Sequence, residues 1–343
     1  MAENMKALVW LGKEQLAVQE RPVPAPSDGQ ALVRIRAAGI CGTDHSILGG
    51  THSRARPPLI MGHECAGEVA ALRGSAPGGV REGDAVTIEP LISCGACAAC
   101  RSGNAHVCQT LKLYGIDADG GFAQYVVVSA QSLRPLGKGV DFRLGALVEP
   151  LAVAVHSVRL AGVTVGDSVG VLGGGPIGAL VAVVARRAGA SPVIVCERQP
   201  FRIERLRSLG FDVIDTAQAD PAEEVLRRTG GDGVDVLFEA AGAPQTVLAA
   251  YHACRVRGQV VQVANPRSPV PTDLLALSFR ELTVRGARVY AAGDFQRAIA
   301  MAAEDAPTLR KLQSDPFTLE QGETAFRRSR AGADVMRVLF SVD

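Results

Sequence analysis

Four cysteines stand at Cys94, Cys97, Cys100 and Cys108, separated by two, two and seven residues, with glycines at 95 and 103. Four thiolates this close in sequence match a closed tetrahedral zinc site, in which four soft ligands leave no open position. An iron–sulfur cluster is the competing use of the same ligands. Zinc is preferred because a short loop gains folding energy from a redox-silent ion. A second set is mixed and scattered: Cys41, the adjacent pair His63 and Glu64, and Glu149, a carboxylate embedded in the apolar segment Leu147–His156. One thiolate, one imidazole and one carboxylate leave a coordination position for water or substrate, which suits catalysis. Neighbouring residues of a strand point to opposite faces, so His63 and Glu64 can share a metal only where the backbone bends. Glu149 is the fourth candidate, because a buried carboxylate needs a partner and a metal supplies one.

A third element is glycine-rich. Gly173, Gly175 and Gly178, with Pro176 and Ile177 between the last two, follow the apolar run Ser168–Leu172 and open an apolar helical pattern. In that strand–turn–helix context, G-x-G-x-x-G permits a tight turn, close backbone approach to a pyrophosphate, and close helix–strand packing. Helix N-terminal amides then favour the diphosphate. Glu197 ends the next apolar run, nineteen residues after Gly178, where a carboxylate can accept the adenosine ribose hydroxyls. It repels a 2′-phosphate and favours NAD over NADP, although Arg198 and Arg202 stand close enough to blur the choice.

These groups need elements to hold them. The chain has 343 residues, 47% hydrophobic, with 36 basic against 35 acidic side chains. That length suggests two domains. The charge balance gives no general attraction to nucleic acid or to an anionic membrane. Residues 1–150 read as short strands and loops, broken by Gly, Pro and Asp clusters. After Pro150, strands alternate with helical patterns through Leu282–Val284, the signature of a parallel sheet covered by helices. The last fifty residues read as one or two helices and a terminal strand, Val335–Val342. Ser168–Ala185 is uncharged for eighteen residues, but its five glycines and one proline fit the glycine turn better than a membrane span.

With these motifs in this order, the chain resembles the zinc-dependent medium-chain dehydrogenases/reductases, in their sorbitol dehydrogenase-like branch. The resemblance rests on GICGTD around Cys41, the GHExxG element at Gly62–Gly67, the four-cysteine lobe, DGGFAQYVVV at Asp119–Val128, VEPLAVAVHSV at Glu149–Val158 and GGGPIG at Gly173–Gly178. It implies a GroES-like catalytic domain built from residues 1–152 and 287–343, and a Rossmann domain of doubly wound parallel sheet over 153–286. It implies two zinc ions per chain: a catalytic one at Cys41, His63 and Glu64, with Glu149 touching the metal or its water, and a structural one at the four cysteines. Thr43 fits the family position of a hydroxyl that takes the substrate proton. The family's usual relay histidine falls where this chain has Ser46; His45, one residue earlier, is the candidate here.

The expected reaction transfers a hydride between a secondary alcohol (polyol, sugar acid or cyclitol) and NAD(P). The rivals are an amino-alcohol dehydrogenase such as a threonine 3-dehydrogenase, a biosynthetic alcohol dehydrogenase, and a non-catalytic cofactor sensor. Within Ile47–Leu59, expected to border the cleft, Arg54 and Arg56 could meet a substrate carboxylate or phosphate, or belong to a solvated loop. The eight cysteines and the missing signal-peptide pattern point to the cytoplasm. A homodimer or homotetramer is expected by resemblance, with Leu282–Val284 as an exposed edge strand.

Overall fold

A computed structural model describes residues 3–266 and 268–343. These divide into two compact units, residues 1–149 with 291–343, and residues 150–290.

The first unit is built on antiparallel strands. Gln30–Gly39 is its central strand, pairing with Glu64–Leu72, with Tyr125–Ser129 and, through the C-terminal strand Leu339–Ser341, with the end of the chain. Ala31, Leu32, Val33, Ile35 and Ala38 are completely or almost completely buried, so the strand is clamped from both faces. A three-stranded sheet of Asn4–Gly12, Gln15–Pro22 and Leu59–Ile60 completes the layer. The tail supplies the helices Ala292–Glu304, Ala306–Arg310 and Gly322–Ala331 before its strand, which is shorter than the run Val335–Val342 suggests. The four-cysteine segment leaves this core as a loop whose base is clipped by Leu91–Ile92 pairing with Lys112–Leu113.

The second unit is a six-stranded, wholly parallel sheet. Its spatial order is Asp212–Asp215, Val193–Glu197, Val169–Leu172, Val234–Glu239, Cys254–Gln262 and Thr283–Gly286. Counted along the chain within this unit, that order is 3-2-1-4-5-6, the doubly wound arrangement of dinucleotide-binding sheets. Val169–Leu172 and Val193–Glu197 are buried throughout, as strands covered on both faces must be. The strand order reverses between Val169–Leu172 and Val234–Glu239, and ligands of such sheets bind beyond the carboxyl ends at that point.

One feature departs from the sequence reading, and one follows it. Residues read as strand and loop before Pro150 include the start of a twenty-residue helix, Phe142–Ala161, which runs through Pro150. It is long and apolar enough to cross a membrane by composition, yet 78% of its most apolar window is buried inside the protein, as in a core helix. Ser168–Ala185 is split between the strand Val169–Leu172 and the helix Pro176–Arg187, so no continuous helix covers it.

Candidate active site

Cys41 ends the central strand region and caps the short helix Gly42–Leu48. Its backbone N–H donates to Asp44 Oδ2 at 2.8 Å, so an acid at the third helical position fixes the cap. The other oxygen of Asp44, Oδ1, stands 3.8 Å from His63 Nδ1; neither atom has a hydrogen-bond partner, and both are buried. One carboxylate therefore orients the backbone of Cys41 and faces the ring of His63, an arrangement that sets ring direction in metal-ligating histidines.

The bend required to bring His63 and Glu64 together lies at Gly62. Its φ of +95° is left-handed, and a Cβ there would meet the Phe122 ring at 2.5 Å. His63 thus precedes the strand, and Glu64 begins it. The ligand atoms of Cys41, His63 and Glu64 all lie within 4.8 Å of one another. His63 and Glu64 are buried, whereas Cys41 is half-buried and gives the trio its open side. Loss of solvent around the sulfur, reinforced by Asp44 and Glu149, pushes the Cys41 thiol up to about 11. A cation among these groups would reverse that effect and stabilise the thiolate.

Glu64 carries a second commitment. Its Oε2 is paired with the guanidinium of Arg337, itself 4% exposed and pulled down to about 10 by burial, so still charged at neutral pH. Arg337 thereby fixes one oxygen of the carboxylate. Gly39 makes the pairing possible: a Cβ at that position would collide with Glu64 Oε2 and lie 3.1 Å from Arg337 Nη2. Glu149 is buried and close enough to act on Cys41, but lies outside the trio of ligand atoms.

Thr43 sits in the first turn after Cys41, its hydroxyl 3.8 Å from the Cys41 sulfur. His45 is turned toward the C-terminal helix Gly322–Ala331: its Nε2 lies 2.9 Å from Ser329 Oγ, and its ring meets Phe326 edge-on. The arginines of the loop after the helix Gly42–Leu48 bond to neighbouring groups of the protein. Arg54 binds the Asp117 carboxylate through Nε and Nη2, each at 3.0 Å, and Arg56 donates to the carbonyls of Ser53 and Ala55. Both arginines are exposed, as a solvated loop would have them, and these bonds help to organise that loop.

The thiols of Cys94, Cys97, Cys100 and Cys108 lie within 4.8 Å of one another, with sulfur separations of 3.9 Å (Cys94–Cys100) and 3.5 Å (Cys97–Cys100). Zn–S bonds of about 2.3 Å in a tetrahedron place sulfurs about 3.8 Å apart. All eight cysteines are free thiols. Backbone N–H groups of Cys94 and Cys97 point at Cys108 and Cys94 sulfurs, both at 3.3 Å, and backbone donors hold the Cys94 thiol down to about 6. Such donors suit thiolates.

In the second unit, Gly173 adopts φ +97°, and Gly178 packs so tightly that a Cβ would strike the Gly173 carbonyl. Gly175 caps the helix Pro176–Arg187 without a side-chain acceptor, leaving the amides at Ile177 and Gly178 for an anion. Glu197 is buried at the end of its strand; Oε1 accepts the N–H groups of Arg198 (2.6 Å) and Gln199 (2.9 Å), while Oε2 lies 3.9 Å from Arg202 Nη1. The Arg198 side chain is exposed.

Asp44, Arg337 and Gly39 escaped the sequence reading. Asp44 carried a signal, an acid three residues after a helix cap, and Arg337 is a lone charge in the apolar run Val335–Phe340.

A nicotinamide-type sheet joined in one chain to a unit with an open N/S/O cluster and a closed thiol cluster defines a two-part, metal-binding dehydrogenase class. Residues 27–138 match the family described as Alcohol dehydrogenase GroES-like domain, and residues 176–304 match Zinc-binding dehydrogenase. The chain is 37% identical over 336 residues to a 2-dehydro-3-deoxy-L-galactonate 5-dehydrogenase of Pseudoalteromonas atlantica, covering 98% of each. It is 41% identical over 291 residues to an L-threonine 3-dehydrogenase of Pyrococcus horikoshii, covering 83% of this chain and 82% of that one. Among solved structures, a zinc-binding dehydrogenase from Sinorhizobium meliloti bound to NADP superposes with a TM-score of 0.90 at 31% identity, covering 99% of this chain and 100% of the other. The chain belongs to the zinc-dependent medium-chain alcohol dehydrogenase family, in the sorbitol dehydrogenase-like branch. It is an oxidoreductase of that family.

Replacing Arg337 with Met leaves the Glu64 carboxylate buried and unpaired. The expected cost is about 3–5 kcal/mol of unfolding free energy, read from urea midpoints. A loss below about 1 kcal/mol would mean that Glu64 finds equal compensation elsewhere.

Proposed function

We propose that the protein catalyses zinc-dependent, NAD(P)-linked oxidation of a secondary alcohol of the polyol or sugar-acid class, or the reverse reduction. The observation that carries this reading is the convergence of Cys41, His63 and Glu64 within 4.8 Å, with a buried, unpartnered His63 nitrogen. A family relative acting on a dehydro-deoxy sugar acid supports the substrate class.

Cys41, His63 and Glu64 would hold the catalytic zinc, Glu149 would stand beside it, and Cys94, Cys97, Cys100 and Cys108 would hold a second, structural zinc. When bound, zinc supplies Lewis acidity that makes a hydroxyl acidic near neutral pH, and the nicotinamide accepts hydride. The chain's own residues supply the rest. Asp44 keeps the His63 ring oriented, and Arg337 holds one Glu64 oxygen so that the negative charge of the site stays balanced. The Thr43 hydroxyl would take the substrate proton as it gives up its own, and the imidazole of His45, whose Nε2 lies 2.9 Å from Ser329 Oγ, would accept the proton released. Gly173, Gly175, Pro176, Ile177 and Gly178 would receive the diphosphate. Glu197 would accept the adenosine ribose hydroxyls and favour NAD; Arg202 and exposed Arg198 temper that preference without reversing it.

The partner we infer is a second copy of the chain. Of the eight large apolar side chains left exposed among the described residues, five lie at Val256, Leu274, Leu275, Phe279 and Val284, on or beside the edge strand Thr283–Gly286. Phe279 is 80% exposed. An open edge flanked by apolar side chains invites the same edge of another copy. The free thiols support a reducing compartment, the cytoplasm.

Initial rates at 340 nm test the activity. Zinc-loaded protein should oxidise a polyol or an aldonate with NAD, more slowly with NADP, and Cys41→Ser should lower kcat at least 1,000-fold, about 4 kcal/mol of barrier. In the same assay His45→Ala should shift the pH–rate profile, and an unchanged profile removes His45 from the relay. Turnover of L-threonine in place of polyols would move the substrate to the amino alcohols, and cofactor binding without turnover of any alcohol would favour a sensor. Sedimentation addresses assembly: the wild type should run as a dimer or tetramer and Val284→Glu as a smaller species, whereas a monomeric wild type refutes the inferred interface.

A further inference from the structure

Glu239 is completely buried at the carboxyl end of Val234–Glu239, beside the point where strand order reverses. Its carboxylate accepts five hydrogen bonds. Oε1 takes the N–H of Ala241 (3.0 Å), the N–H of Gly242 (2.8 Å) and the Thr246 hydroxyl (2.7 Å); Oε2 takes Gly242 N–H (3.1 Å) and Gln262 Nε2 (2.6 Å). No cation lies among these partners, so the charge is held by oriented dipoles alone.

The turn so held abuts the glycine fingerprint. Ala240 N–H donates to the Leu172 carbonyl at 2.8 Å, at the end of the fingerprint strand. A Cβ on Gly173 would meet Ala241 Cβ at 2.9 Å and Ala241 N at 3.0 Å. The turn 240–243, with Gly242 at φ +71°, is therefore the wall that faces Gly173 across the crevice. In a doubly wound sheet the two halves each take one mononucleotide. Glu197 lies in the first half, on the adenosine side. Glu239 lies in the second, on the nicotinamide side.

We infer that Glu239 is a positioning residue for the nicotinamide half of the cofactor: without touching it, the carboxylate locks the 240–246 turn into the wall against which that half seats. This inference rests on the dinucleotide reading of the glycine turn. Sequestering the Ala241 and Gly242 amides also keeps them from competing with the helix Pro176–Arg187 for phosphate.

The test compares a whole dinucleotide with its adenosine half, measuring NAD and AMP binding calorimetrically to wild type, Glu239→Gln and Thr246→Val. In Glu239→Gln the new amide confronts the Gln262 Nε2 donor, and the charge that orders the turn is gone. NAD should bind about tenfold more weakly, AMP within about twofold of wild type, and the KM for NAD should rise while kcat at saturation changes little. Thr246→Val removes one donor and should reproduce the effect in smaller measure, with Thr246→Ser restoring wild-type affinity. Equal weakening of NAD and AMP, or no weakening of NAD by either variant, overturns the proposal while leaving the dinucleotide reading intact. A wild type that binds neither NAD nor NADP overturns that reading and this inference together.

Discussion

The first unit depends on a buried pair of charges. Glu64 and Arg337 are separated by 273 positions in the chain, yet their side chains meet in the core beneath Gly39. Two ionised groups out of water cost several kcal/mol each unless they are matched. That cost ties the C-terminal strand to the sheet that carries the metal-ligand candidates. The returning chain thus brings Glu64 its buried partner of opposite sign.

The same logic of assigned lone pairs and protons runs through both units. Asp44 divides its oxygens between the Cys41 backbone and the His63 ring. Glu197 gives one oxygen to its own following amides and leaves the other for a ligand or Arg202. Glu239 is satisfied wholly by dipoles. Asp44, Glu197 and Glu239 each sit at the end of a strand or the start of a helix, where backbone donors are unclaimed by secondary structure. Function is assembled from these ends, and the packed strands between them supply the rigidity.

Legibility in the sequence followed the range of the interaction. The parallel sheet was readable because its strands are short apolar runs at regular spacing, and Gly173 because only glycine accepts φ +97° at no steric cost. The four thiols were readable because one short loop holds them all. The bend at Gly62 could be stated as a requirement but not located. Helix Phe142–Ala161 was hidden by Pro150, whose usual effect is to end a helix. Arg337 and Glu64 could not be paired from sequence, since no local period links residues 273 positions apart. The Arg54–Asp117 pair was unreadable for the same reason, its partners lying sixty-three residues apart.

Cobalt(II) titration of metal-free protein tests the central claim most directly, because thiolate-to-cobalt absorption counts sulfur ligands at each ion. The account predicts two cobalt ions per chain, one with four thiolates and one with a single thiolate. Cys41→Ser and His63→Ala should each weaken only the second ion, and Cys97→Ser only the first. Two ions bound with unchanged spectra in Cys41→Ser and His63→Ala would contradict it.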